Sequence, residues 1–334
     1  MAQPKHDLVA GAGDVLGAYL RSQATAFLRA MRLHAESTAG TAGSAGAVSP
    51  ANAPSAAGSA EGSDAAARGL RGAARRISGS LATFRVVTES SWADGLRTEL
   101  VWLSSTLADE HAYAARLARL MEALYRLSGS PEVPAPRGSA GALTVGSARA
   151  GALLERQLTL ARTRARSATL QALGSARFHA VADAVALLAS EVPLDPVAAR
   201  GRVAEVLVPL AETAQARLAA AVSALPPVEG AHPYDADHDG LWHEVRRLLR
   251  VHRYAREALG EDVARLKEAG RALDRHRDAS EAAAASATAA RTPRIAPATA
   301  YALGVLHADQ RHEVEAARLA FRRLWLPEPA ATPR

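Results

Sequence analysis

Residues 10–34 read AGAGDVLGAYLRSQATAFLRAMRLH, with apolar side chains at Val15, Leu16, Tyr19, Leu20, Ala24, Phe27, Leu28 and Met31. Steps of three and four place these on one face of an α-helix and leave the other face polar. Helical patterning returns over about 65–88, 92–108 and 110–128. It continues over 147–172, 176–190, 196–223, 240–259, 261–290 and 297–326. No stretch keeps the strict alternation of a half-buried strand. The expected fold class is therefore all-α, with helical blocks over 1–128 and 142–326. Residues 36–63 are Ala, Ser, Gly, Thr and Pro with almost no large apolar side chain, and read as a flexible loop. SGSPEVPAPRGSAG (128–141) reads as a linker, 226–240 as a loop, and 327–334 as a tail expected to fray.

Composition narrows the function classes. The chain has 334 residues, 49% of them apolar and only 4% aromatic, which favours helices over a β-sandwich. It has no cysteine, which excludes disulfides, zinc ribbons, iron–sulfur sites and a thiol nucleophile. No apolar run reaches the ~18 residues of a membrane span, and Asp7 and Asp14 interrupt the apolar start. Neither a membrane partner nor a secretory signal is expected, and the expected location is cytoplasmic. The net charge is +6, with 38 Arg against two Lys. That bias matches GC-rich coding as readily as an anionic partner, so position matters more than total.

Two segments stand out. RGLRGAARRIS (68–78) and HEVRRLLRVHR (243–253) superpose at an offset of 175, aligning Arg68 with His243, Arg71 with Arg246, Arg75 with Arg250 and Ser78 with Arg253. The spacing i, i+3, i+7, i+10 keeps each set on one face over three turns. Like charges so placed repel by roughly 0.3 kcal/mol per pair. The first segment has no acid and the second has only Glu244. A cationic row unrelieved within its own segment, present twice, points to a surface built for an anion. The competing reading is two solvated arginine faces. LADEHA (107–112) and LDRHRD (273–278) form a second echo at an offset of 166, in keeping with duplication of a helical unit.

Other signals lead elsewhere or nowhere. Asp235, Asp237 and Asp239 copy the start of an EF-hand loop, but Arg246 stands where its bidentate Glu belongs. Asp239 reads better as an N-cap for the helix near Leu241. No metal site and no cofactor are expected: there is no His-Glu-x-x-His, no P-loop, and GAGDVLG (11–17) lacks a preceding strand. Trp102, Trp242 and Trp325 lie on apolar faces as core rather than stacking platforms. His243 shares a face with three arginines, which should depress its pKa, whereas a bound polyanion would raise it.

These residues resemble the CHAD family, the conserved-histidine α-helical domain. The resemblance rests on AYLRSQ (18–23), GLRGAARRISGSLATFR (69–85) and LRTELVWLSSTLADEHAYAARL (96–117), the last similar to a helix pair of the family. It continues through LWHEVRRLLRVHRYAREALG (241–260), LDRHRDAS (273–280) and ATAYALGVLHADQRHEVEAARLAFRRLW (298–325). It implies two antiparallel four-helix bundles related by a pseudo-twofold axis, with basic helices facing across a central groove. It also implies binding of inorganic polyphosphate and association with polyphosphate granules. Arginine forks suit such a chain, and binding should weaken steeply with salt. The implied phosphate ligands are Arg71, Arg75, Arg76, His243, Arg246, Arg250 and Arg253. Arg68, Arg85, Arg247 and Arg277 come second, and Arg162 and Arg166 read either as an extension of the groove wall or as solvated. The first repeat departs from the family pattern: Arg68 stands at the signature histidine, Ser78 at an arginine and His111-Ala112 at Arg-Asp. No triphosphate-tunnel motif of the Glu-x-Glu-x-Lys type is present, so a stand-alone, non-enzymatic binding module is expected. The alternatives are a nucleic-acid-backbone binder, a metal-dependent phosphate hydrolase and a structural adaptor. The hydrolase would rest on Asp274 and Asp278, which read better as braces for arginines. Oligomeric state leaves no mark in the sequence.

Overall fold

The computed structural model describes residues 11–44, 56–129, 139–227 and 236–325. Among these residues it is all-helical, with no strand beyond two isolated bridges. The helices are α1 (Ala12–Ser44), α2 (Ala56–Thr83), α3 (Ser90–Gly129), α4 (Ser139–Leu173) and α5 (Ala176–Ser190). They continue as α6 (Val203–Ser223), α7 (Asp239–Ala258), α8 (Ala264–Ala290) and α9 (Pro297–Trp325). Short 3-10 turns occupy Arg85–Val87 and Ala198–Arg200. No single helix among the described residues is long and apolar enough to cross a membrane.

Besides an earlier start of α4, at Ser139 inside the expected linker, and a later start of α6, at Val203, three details differ from the sequence reading. The helices expected over 92–108 and 110–128 are one, α3. No Gly or Pro interrupts residues 96–128, and the apolar period runs on through Leu103, Leu107, Leu117, Leu120 and Leu124. Within 36–63, residues up to Ser44 extend α1 and those from Ala56 open α2. Alanine, the strongest helix former, prevails there over the loop-like look of Ser and Gly. Residues 45–55 lie outside the described residues, as does most of the linker (130–138) and of the 226–240 loop (228–235), together with the tail. The third difference concerns Asp239, which opens α7 but sends its carboxylate to arginines of α9.

The chain forms two compact units, and each draws on segments from both halves of the sequence. Unit 1 comprises residues 1–111, 165–216 and 251–262; unit 2 comprises 112–164, 217–250 and 263–334. Helices α3, α4, α6 and α7 thus supply residues to both.

The core of unit 1 buries Leu16, Leu20, Phe27, Leu70, Ile77, Leu81, Phe84, Leu100, Leu103, Val185, Leu188 and Leu207. Apart from Phe84, which caps the following 3-10 turn, these come from the periodic faces of α1, α2, α3, α5 and α6. The start of α1 is tied down where Ala12 N–H donates to the Gly201 carbonyl at 2.8 Å, and Asp195 N–H reaches the Val87 carbonyl at 3.0 Å.

Unit 2 holds two apolar clusters. One packs Leu120, Leu124, Leu154 and Leu158 of α3 and α4 against Ala282, Ala289, Leu303 and Leu306 of α8 and α9. The other packs Leu218, Trp242, Val245 and Leu249 against Ala269, Leu273 and Phe321. The small residues of α8, with Ala272, Ala279, Ala283 and Ser286 all buried, suit it to the inside of this unit.

Candidate functional site

Helix α7 is amphipathic in the sense the sequence predicts. Trp242, Val245, Leu249 and His252 are buried, while His243, Arg246, Arg250 and Arg253 are only half-buried. A buried ionic cluster fixes its first turn. Arg311 Nη1 and Arg318 Nη2 each donate to the Asp239 carboxylate at 2.6 Å. Arg318 Nη1 also reaches Glu315 at 2.7 Å. Trp242 stacks on His276 with centroids 5.4 Å apart and meets the edge of Phe321. Burial would raise the Asp239 pKa, yet its bonds to His276 and Arg311 hold it down at about 2.

In unit 2 the α7 row meets α8. Asp274 Oδ1 accepts from Arg246 Nε at 2.6 Å and from Arg250 Nη2 at 2.7 Å. One turn or two further along α8, Arg277 Nε and Nη2 donate to the two oxygens of Glu281 at 2.7 and 3.2 Å. Arg116 Nη2 of α3 donates to the same carboxylate. The acid that relieves Arg246 and Arg250 therefore comes from the neighbouring helix, which local sequence could not display.

The relief is incomplete. Burial, with Arg250 and Arg277 nearby, lowers the Arg246 pKa to about 10. Asp274 is held below the ordinary carboxylate value: burial opposes this, and Arg246 and Arg250 prevail. A guanidinium cluster under such mutual repulsion, with Arg246 only 14% exposed, gains by taking up an anion.

His243 faces Ser280, with Nε2 3.3 Å from Oγ. The Ser280 hydroxyl also lies 2.9 Å from the Arg277 carbonyl, to which it donates. Burial lowers the His243 pKa; Arg246 and Arg277 lower it further, and Asp239 and Glu281 oppose them.

In unit 1 a second cluster forms where α2 meets the end of α7. Glu257 accepts from Arg76 Nε at 2.9 Å and pairs with Arg253 Nε at 3.3 Å. The Tyr19 hydroxyl donates to it at 3.3 Å. The Arg253 and Arg76 guanidinium carbons lie 4.9 and 5.7 Å from the centre of the buried Tyr254 ring. Gly79 permits that approach, since a Cβ there would lie 2.7 Å from Tyr254 Cδ2. Burial and the Glu257 charge raise the Tyr19 pKa, so the phenol stays protonated. Arg71 and Arg75 are half-buried on the same helix as Arg76.

The other candidates have different surroundings. Arg68 is exposed on α2. Arg85 sits on the 3-10 turn, where Asp94 takes its Nε at 2.9 Å and its Nη2 at 2.7 Å and also holds Arg97. Arg247 is exposed and pairs with Glu244, three residues back on α7. Arg162 and Arg166 are exposed on α4. Asp274 braces arginines as the sequence reading held, whereas Asp278 is exposed. Sequence reasoning missed Glu281 and Arg116. The i, i+4 pair Arg277–Glu281 was visible on α8, but nothing local linked Arg116, 165 residues away. Among the described residues, no group of three or more His, Asp or Glu is placed to hold a metal ion.

A family model described as CHAD domain matches residues 52–284. No curated protein matches the chain. Among solved structures, PptA from Streptomyces chartreusis is similar at 56% identity and a TM-score of 0.76, over 95% of this chain and 99% of that one. The CHAD domain from the plant Ricinus communis is similar in fold, with a TM-score of 0.58 at 18% identity, over 96% of this chain and 94% of that one.

Proposed function

The chain belongs to the CHAD family, and from that premise we propose that it is a non-catalytic module that binds inorganic polyphosphate through arginines of α2, α7 and α8. The family is associated with polyphosphate binding. The observation that carries the reading is the excess of guanidinium over carboxylate on α7 and α8, where Arg246 and Arg250 share one acid. Each arginine keeps N–H donors that its acid does not use, and these suit the oxygens of successive phosphates. Arg71, Arg75, Arg76 and Arg253 are the corresponding ligands of unit 1. Association with polyphosphate granules follows from the same reading.

The test is a titration with long-chain polyphosphate at two salt concentrations, with an Arg246→Glu/Arg250→Glu variant alongside. Binding that is tight, weakens steeply with salt and vanishes in the variant is the expected result. A folded wild-type protein that ignores polyphosphate would overturn the proposal.

A further inference from the structure

Three carboxylates at the arginine clusters share one arrangement. Each holds two guanidiniums, at least one of them from another helix. Asp274 holds Arg246 and Arg250, and Glu281 holds Arg277 and Arg116. Within unit 1, Glu257 holds Arg76 and Arg253. Every such bracket carries a net charge of +1 where two bare arginines would carry +2.

A site selected for charge alone would not include these acids. They cancel cations and repel any phosphate that approaches. Two of them are not hidden in the protein core: the Asp274 and Glu281 side chains are 49% and 32% exposed. What they supply is order. An arginine side chain carries about 2 kcal/mol of rotamer entropy, and a bracket removes much of that freedom before a ligand arrives. Asp274 uses only Nε–H of Arg246 and one Nη2–H of Arg250. Most of the five donors on each fork therefore stay with a guanidinium whose position is already set.

We propose that Asp274 and Glu281 are positioning residues that make the site selective for a thin, flexible phosphate chain over a broad, rigid polyanion such as duplex DNA. The inference rests on the polyphosphate reading above. Duplex binding follows the number of phosphates neutralised and tolerates loose geometry. A duplex is stiff, so its phosphates cannot be routed around a carboxylate, and each bracket lowers its affinity. A flexible inorganic chain can set successive phosphates against the ordered forks and turn away from the acids between them. For that ligand the gain in pre-ordered, bidentate contacts offsets the lost charge. For the duplex it does not.

The test uses the full chain and the variants Asp274→Asn, Glu281→Gln and Asp274→Glu. Affinities for long-chain polyphosphate and for duplex DNA are measured across a salt series, with helical circular dichroism as the check on folding. The amide variants should bind duplex more tightly, with a salt slope steeper by about 1 for each acid removed. Their polyphosphate affinity should stay level or fall, so that the preference for polyphosphate drops about tenfold. Asp274→Glu, which keeps the charge, should keep duplex binding as weak as in the wild type. A parallel rise for both ligands, or no change for either, would overturn the proposal. If Asp274→Asn does not fold, Glu281→Gln carries the same comparison. A wild-type protein that binds neither ligand would instead refute the polyphosphate reading itself.

Discussion

Asp239 shows how one side chain can decide the placement of many. It accepts from two arginines of α9, Arg311 and Arg318, which are 1% and 6% exposed. Removing it leaves two buried guanidiniums short of their shared acid, a defect that typically costs 3–5 kcal/mol. Asp239→Ala should therefore lower stability by about that amount in a denaturant melt, and a loss below ~1 kcal/mol would show the cluster to be idle. His243 makes a different prediction. Its pKa lies below the ordinary 6.5 in the free protein, and a neighbouring polyanion would raise it. Binding then takes up a proton, so polyphosphate affinity should rise as pH falls from 7.5 toward 6. His243→Gln should flatten that rise, and an unchanged slope would remove the histidine from the site.

At the scale of elements, close helix packing depends on glycines at two points. A Cβ on Gly79 of α2 would lie 2.7 Å from the Tyr254 ring, and one on Gly146 of α4 would lie 2.2 Å from the Ala298 carbonyl oxygen. The ring belongs to unit 1 with α2, and the carbonyl belongs to unit 2 with that part of α4. Alanine is otherwise the better helix former, so Gly→Ala at an unconstrained site would stabilise. Here the clash wins: each substitution should destabilise by roughly 1–3 kcal/mol, Gly146→Ala more than Gly79→Ala, because a backbone atom cannot swing aside. Gly95 has open space beyond its Cβ and serves as the control, since Gly95→Ala should be neutral or stabilising. Equal effects at all three positions in thermal melts would contradict this account.

For the whole molecule, acid should weaken the fold in two steps. Burial depresses His276 and His243 below 6.5, and His276 also faces Arg318, with Asp239 opposing. Both resist protonation in the folded chain and protonate more readily once it unfolds. Their contribution is complete above pH 6.5 and is lost as pH falls below it. Asp239 follows. Its pKa of about 2 against an ordinary 3.8 gives about 2 kcal/mol that is present above pH 4 and lost as pH falls through 2. A melting temperature flat from pH 7 down to 4 would refute the first step.

The sequence by itself determined that the chain is helical, where most helices run and which arginines share a face, because these depend on periods of three and four along one segment. It also carried the family resemblance, through short strings in a fixed order. Only the tertiary structure decided which acids meet those arginines. Glu281 and Arg116 lie 165 residues apart, and Asp239 meets Arg311 and Arg318 across more than 70. Ion pairing depends on distances of a few ångströms in space, and no local pattern encodes which helix will supply the partner. The join of α3 into one helix and the extension of α1 to Ser44 depend on the backbone's preference for continuing hydrogen bonds through alanine-rich sequence once a helix exists. A reading of side-chain polarity alone passes over that preference.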